Sequence, residues 1–182
     1  GLKVVYPSFP ADAKGLLCAS INDPNPVLFF EHKALYRSIY QDVSEDYYTI
    51  EIGKASLLKE GNDITIITYG AGVHWALDTL KTHPNISADL IELRTLQPLD
   101  EAAIFTSVRK TGKVIFLQED SLFGSMSSDV SALITENCFE FLDAPVKRVA
   151  SIETPIPFQG ELEKQYLPKH RFASELKTLI DY

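Results

Sequence analysis

The sequence of 182 residues is poor in cysteine and contains no long apolar run, and each shortage excludes a class of protein. Its two cysteines, Cys18 and Cys138, are far apart and form no CxxC or metal-ligand spacing. A disulfide framework is therefore not expected, and a reduced, cytoplasmic compartment is favoured. No apolar run approaches the ~18–20 residues of a membrane span, and no signal peptide opens the chain. We therefore expect no membrane partner.

Basic residues are also in short supply. Lys and Arg number 17 against 25 Asp and Glu, which gives a formal net charge of −8. A chain with this balance is poorly suited to general binding of nucleic acids or anionic membranes. An acidic surface suits a basic partner instead, although such a charge is also ordinary for solubility.

Most catalytic and cofactor motifs are missing. The chain has no HExxH, no GxxxxGK[ST] and no GxSxG, and its four histidines are scattered, so a zinc site is not expected. Gly70-Ala71-Gly72 follows a strand pattern and opens a helix pattern, but Trp75 stands where a dinucleotide fingerprint has its third glycine. A tight strand-to-helix turn is the favoured interpretation.

The chain is dominated by an alternation of β-rich runs and helical periods. We predict an α/β fold with a doubly wound, mostly parallel sheet, preceded by the last βαβ piece of a second α/β domain. The first residues already resemble a core strand and lack an initiator Met, so we expect a piece of a longer polypeptide. The predicted domains are 1–45, a remnant with its linker, and 46–182. The predicted strands are 2–6, 27–31, 63–69, 88–93, 113–118 and 146–151, with helices at 10–22, 72–82, 99–110, 127–142 and 169–180 and a hairpin at 50–59.

Three short groups of polar residues could carry chemistry. Glu119-Asp120 ends a predicted strand, where parallel sheets place ligands, so these acids could orient a partner or simply form a solvated strand end. His32 lacks a partner at any local spacing, and we favour structural ion pairs of its charged neighbours over a general base. Ser20, Asp23 and Asn25 surround a helix end, whose free carbonyls suit a hard cation, although such residues are also ordinary turn material.

Long stretches of the chain resemble one family. Residues 1–37, which include CASINDPNP and FFEHKALYR, are similar to the middle of the β subunit of thiamine-diphosphate-dependent 2-oxo acid dehydrogenases, the group of the pyruvate, branched-chain and acetoin enzymes. The similarity continues in family order through ITYGAGVHWAL, LIELRTLQPLD, KTGKVIFLQEDSLFG and ASIETPIPF. Where many relatives have HEAPLTGG, this chain has Gln118 and Asp120 in place of His and Ala, which resembles a subgroup with fused α and β halves.

The resemblance implies a C-terminal domain of the transketolase type and a parent enzyme with thiamine diphosphate and Mg²⁺. In that family the diphosphate and Mg²⁺ are held by the α subunit. The glutamate that activates the aminopyrimidine and the β-subunit active-site histidine match positions upstream of Gly1. No catalytic or cofactor-binding residue can therefore be carried over to this chain. The expected role is assembly, with an α subunit or α half in a dimer or α2β2 parent.

Two site assignments follow from the resemblance. The helix end at Ser20, Asp23 and Asn25 matches the family's structural potassium site, part of which also lies upstream. The acidic strand end at Glu119 and Asp120 is a candidate for docking the small basic subunit-binding domain of the acyltransferase. The alternatives are a non-catalytic interaction domain with the same fold and the C-terminal domain of another thiamine enzyme, such as a transketolase-like synthase. The sequence does not fix the 2-oxo acid.

Overall fold

The computed structural model describes residues 1–182. Eight strands and six helices follow one another in the chain. The strands are β1 Lys3–Val5, β2 Val27–Phe29, β3 Ser56–Lys59, β4 Ile64–Thr68, β5 Ala88–Glu92, β6 Thr95–Gln97, β7 Val114–Leu117 and β8 Lys147–Val149. The helices are α1 Pro10–Asn22, α2 Ala71–Thr82, α3 Glu101–Thr111, α4 Met126–Cys138, α5 Gly160–Tyr166 and α6 Lys169–Ile180. None of these helices has the length and hydropathy needed to cross a membrane.

The main sheet has five strands in the order β3-β5-β4-β7-β8. Four of them are parallel, and β3 pairs antiparallel with β5 at the edge. Every residue of β4, β5 and β7 is buried, which accounts for their nearly continuous apolar sequence. The predicted alternation of four parallel strands with three helices is confirmed.

Helices cover both faces of the main sheet. On one face, α2 and α6 contribute Ala76, Leu80, Phe172, Leu176 and Leu179 to a core cluster with β4, β5, β7 and β8. On the other face, α3 and α4 enclose a second cluster of ten buried residues. Packing on both faces is what the doubly wound prediction requires, and the predicted fold class is confirmed.

A second, three-stranded sheet holds the N-terminal segment. Strand β1 pairs parallel with β2 and antiparallel with β6. Because β6 continues from the end of β5 after a turn at Arg94 (φ 56°), this small sheet lies beyond the carboxyl ends of the main strands. The backbone N–H of Tyr6 donates to the Arg94 carbonyl at 2.8 Å, which joins the two parts. Residues 38–55 contain no regular strand or helix, and Ile50 N–H donates to the Gly15 carbonyl of α1 at 3.1 Å.

The structure corrects several sequence-based boundaries. The hairpin expected at 50–59 is a single edge strand, and the helix expected to reach residue 142 ends at Cys138 and continues as a 3₁₀ turn. Two elements were not predicted, the short strand β6 and the helix α5. Helix α5 buries none of its residues, so it has no apolar period, and only the Gln159 side chain, which accepts from Leu162 N–H, marks its start.

Candidate functional site: the carboxyl edge of the main sheet

The direction of the chain reverses between β4 and β7. From β4 the chain moves to β5 on one side of the sheet, and from β5 it crosses to β7 on the other side. Thr68 and Leu117 are paired across these strands, so Tyr69 and Gln118 emerge side by side at the carboxyl edge. In open α/β sheets this reversal point is where ligands bind.

A cleft of about 350 Å³ lies at this point, and we call it the switch-point cleft. The N-terminal segment supplies Tyr6 and Phe30 to its wall, and the loops after β4 and β7 supply Tyr69, Glu119 and Asp120. Ring centroids lie 5.9 Å apart for Tyr6 and Phe30 and 5.5 Å apart for Tyr6 and Tyr69. The remaining lining residues are Ala71, Leu96, Ile156, Glu163, Tyr166 and Leu167.

The glycines of the β4–α2 turn allow neighbouring side chains to pack closely against the backbone. Gly70 has φ 56°, and a Cβ there would lie 3.1 Å from the Tyr6 ring. A Cβ on Gly72 would overlap Thr68 Oγ1. Because Tyr6 covers the turn, no open cradle for a phosphate exists there. The interpretation of this motif as a tight strand-to-helix turn is confirmed.

His32 has a partner that local sequence spacing could not show. Its Nε2 lies 2.7 Å from Oε2 of Glu119, 87 residues along the chain. The hydrogen bond to Glu119 is the largest cause that raises the pKa of His32, against a smaller lowering by burial. The expected ion pairs of its neighbours were wrong: Lys33 and Arg37 form none, and Glu31 instead accepts a hydrogen bond from Tyr36 Oη at 2.6 Å. His32 and Glu119 therefore connect the N-terminal segment to the loop after β7.

A second polar cluster fixes the N-terminal segment to the end of β5. Arg94 lies between two carboxylates, with its Nη2 at 2.9 Å from Asp12 Oδ1 and its Nε at 4.0 Å from Glu92 Oε2. Glu92 is fully buried, and its Oε1 accepts the Ser8 backbone N–H at 3.1 Å. Burial, followed by repulsion from Asp12, raises the pKa of Glu92 to about 7. Sequence patterns could not indicate this cluster, because Glu92 simply ends a strand pattern.

The residues proposed for potassium surround the end of α1 as expected, but their side chains are engaged with one another. Asp23 accepts a hydrogen bond from Lys3, which is the main cause that lowers its pKa, and also accepts from Asn25 N–H at 2.9 Å. The Ser20 hydroxyl donates to the Leu16 carbonyl at 2.7 Å. The Asp23 carboxylate is therefore already paired with Lys3.

The two acidic residues at the end of β7 lie in different environments. Glu119 is half-buried against His32, whereas Asp120 is exposed and forms no ion pair. Asp120 is therefore the freer of the two for a basic partner.

The lining of the cleft does not suit a diphosphate. Its charged groups are Glu119, Asp120 and Glu163, which would repel an anion. The chain has no group of three or more His, Cys, Asp or Glu side chains that could hold a metal ion. The lining of this cleft therefore does not fit thiamine diphosphate with Mg²⁺.

Comparison with known proteins identifies the family of the domain that forms the main sheet. The family described as "Transketolase, C-terminal domain" matches residues 53–171. This chain belongs to that family. A solved structure titled "Split gene transketolase, inactive beta4 tetramer" shares the fold of the chain, with a TM-score of 0.78 at 24% identity over 99% of this chain and 57% of that one.

The curated relatives are β subunits of three dehydrogenase systems. The 2-oxoisovalerate dehydrogenase subunit beta of Bacillus subtilis (strain 168) is 49% identical over 92% of this chain. From the same organism, the pyruvate dehydrogenase E1 component subunit beta is 48% identical over 96% of the chain, and the acetoin:2,6-dichlorophenolindophenol oxidoreductase subunit beta is 47% identical over 92%. The chain spans about half the length of these relatives, namely 52%, 54% and 49%. The family resemblance read from the sequence is confirmed.

Proposed function

We propose that this chain is the C-terminal part of the β subunit, or of a fused α/β chain, of the decarboxylating component of a 2-oxo acid dehydrogenase complex. The observation that carries the proposal is identity of 47–49% over at least 92% of the chain to β subunits of all three enzyme classes. The parent would decarboxylate a 2-oxo acid oxidatively and pass the acyl group to a lipoyl arm. Similar identity to all three leaves the particular 2-oxo acid open.

The role proposed for this chain within the parent is assembly and docking rather than chemistry. Thiamine diphosphate and Mg²⁺ would be bound outside it, since the acidic cleft disfavours a diphosphate. The chain alone would therefore be inactive, and an α subunit or α half would complete a dimer or α2β2 assembly. We propose residues 46–182 as the transketolase-type domain and 1–45 as a remnant of the pyrimidine-binding domain, seated on it through His32–Glu119 and Asp12–Arg94.

Potassium at Ser20, Asp23 and Asn25 remains part of the proposal. Lys3 already neutralises Asp23, so a cation would depend on carbonyl oxygens at the end of α1. Because stabilisation by a ligand follows its concentration relative to its dissociation constant, a weak site of this kind would add little stability to the chain.

The proposed docking partner is the basic subunit-binding domain of the acyltransferase. The net charge of −8 and the unpaired carboxylate of Asp120 support it, because complementary charge accelerates encounter and selects partners. Titration of the chain with that domain should show binding that weakens with salt, since charges on exposed groups are screened over ~10 Å at 0.1 M. Asp120→Asn should weaken binding about threefold, the scale of one exposed ion pair.

The matched control is Glu136→Gln, which removes an exposed, unpaired carboxylate on α4. It should leave the affinity unchanged. Circular dichroism should first show that the chain is folded. If the folded chain does not bind the domain at low salt, the docking role is refuted. Equal weakening by Asp120→Asn and Glu136→Gln would show that only net charge matters and would remove Asp120 from the contact.

A further inference from the structure

The switch-point cleft combines aromatic walls with carboxylates, two of which form no ion pair. Three carboxylates line it, from Glu119, Asp120 and Glu163, and no Lys or Arg does. Neither Asp120 nor Glu163 takes part in an ion pair, and only one oxygen of Glu119 is bonded, to His32. The site therefore presents unpaired negative charge at the point where doubly wound sheets bind ligands.

The aromatic side chains determine what kind of cation fits. Tyr6, Phe30 and Tyr69 form a continuous row, with 5.9 Å and 5.5 Å between neighbouring ring centroids, and Tyr166 joins the wall from the end of α5. Ring faces attract cations through their quadrupoles, and aromatic cages recognise organic ammonium groups in this way. An inorganic ion would find no group of three ligating side chains.

The negative charges of the carboxylates affect the pKa values of two tyrosines in the cleft. The pKa of Tyr6 is raised by burial and then by the charge of Glu119. The pKa of Tyr69 is raised by burial and then by Asp120, Tyr6 and Glu119. The same potential that disfavours a phenolate would stabilise a positive charge placed against these rings.

We propose that the switch-point cleft is a binding site for a small organic ammonium compound, held by Glu119 and Asp120 against the rings of Tyr6, Phe30 and Tyr69. The volume of about 350 Å³ falls in the range of small-molecule sites. The site is made by both parts of the chain, so an occupant would also bridge the N-terminal segment and the main-sheet domain. The proposal shares Asp120 with the proposed docking role, but it concerns a ligand within the cleft and is tested without the acyltransferase domain.

The test is a titration of the chain with n-butylammonium in which calorimetry measures the heat of binding. We expect saturable binding with a dissociation constant of about 1–10 mM, whereas butanol and butyrate, which share the apolar stem, should bind at least about tenfold more weakly. Nα-acetyl-lysine amide is the second arm. Tighter binding of this probe than of butylammonium identifies a peptide-borne lysine as the source of the cation, and weaker binding identifies a free amine.

Two variants separate charge from aromatic contact. Asp120→Asn and Phe30→Leu change exposed side chains, and each should weaken butylammonium binding about threefold. Glu136→Gln and Phe158→Leu change exposed residues outside the cleft and should have no effect. No saturation at ~100 mM butylammonium, equal binding of butanol, or unaltered affinity in both cleft variants would overturn the proposal.

Discussion

Single residues at the junction of the two parts carry most of the unusual electrostatics of this protein. Glu92 is fully buried, lies near a second carboxylate, Asp12, and shares with it one guanidinium, that of Arg94. Its Oε2 has no hydrogen-bond partner. A carboxyl group in these surroundings holds its proton more tightly in the folded chain than in the unfolded one.

The stability of the chain should therefore depend on the protonation of Glu92. Its pKa is raised from 4.5 to about 7, so the folded state binds the extra proton between these values. Stability should fall as the pH rises through this interval, by about 3 kcal/mol in total, and the loss should be complete above pH 7. Glu92→Gln keeps the acceptor for Ser8 and removes the titration. At pH 8 the variant should be more stable than the unmodified chain by up to that amount.

The measurement is the free energy of unfolding by urea at pH values from 5 to 8. The difference between Glu92→Gln and the unmodified chain should grow with pH. The pair His32–Glu119 also loses stability as the pH rises through the raised pKa of His32, but it does so equally in both proteins. A pH-independent difference, like that expected for the exposed control Glu136→Gln, would show that Glu92 is ionised in the fold.

Sequence reasoning identified single residues only where they belong to a local pattern. It selected Glu119 and Asp120 because they follow a strand, and the structure places both at the cleft. It missed the partner of His32, because that contact spans 87 residues. It missed the Glu92–Arg94–Asp12 cluster for the same reason. Contacts between distant parts of a chain leave no periodic signal in one sequence.

At the scale of elements, periodicity was a reliable guide where an element buries one face. Helix α1 was predicted at its observed bounds, 10–22, and the central strands β4, β5 and β7 were found as apolar runs. Element α5 was missed because it buries nothing, and β6 because its three residues depend on pairing with β1. Neither element leaves an apolar period in the sequence: β6 depends on its pairing with β1, and α5 on a local cap by Gln159.

The β4–α2 turn provides an element-scale test. A Cβ on Gly72 would overlap the buried hydroxyl of Thr68, so Gly72→Ala should destabilise the chain by about 1–3 kcal/mol, the usual cost of overpacking. Removing the obstacle with Thr68→Ala should make the same glycine substitution less costly, because contacting residues are coupled. Thermal unfolding of the two single variants and the double variant gives the coupling.

The control for this cycle is Gly160→Ala at the start of α5, where a Cβ would meet no atom within 4 Å. Its stability should equal or slightly exceed that of the unmodified chain. If Gly72→Ala were as harmless as Gly160→Ala, the glycine would not be required by packing against Thr68, and a ligand-binding role for this turn would have to be reconsidered.

At the scale of the whole molecule, the chain has a transketolase-type C-terminal domain with an additional α/β segment bound at its carboxyl edge. Two ion pairs and a row of aromatic rings join them. The fold class could be predicted from alternation alone, whereas the placement of the N-terminal segment could not. We propose that this assembly belongs to a 2-oxo acid decarboxylating enzyme whose cofactor is bound elsewhere.

The most direct test of that claim is an activity panel on the full-length parent assembled with its α subunit or α half. Pyruvate, branched-chain 2-oxo acids and acetoin would each be offered with dichlorophenolindophenol as electron acceptor, with and without thiamine diphosphate and Mg²⁺. We expect cofactor-dependent turnover of at least one 2-oxo acid by the assembled parent, and no turnover by this chain alone. A folded, assembled parent that turns over none of the 2-oxo acids in the presence of the cofactor, or that turns over acetoin only, would contradict the proposed function.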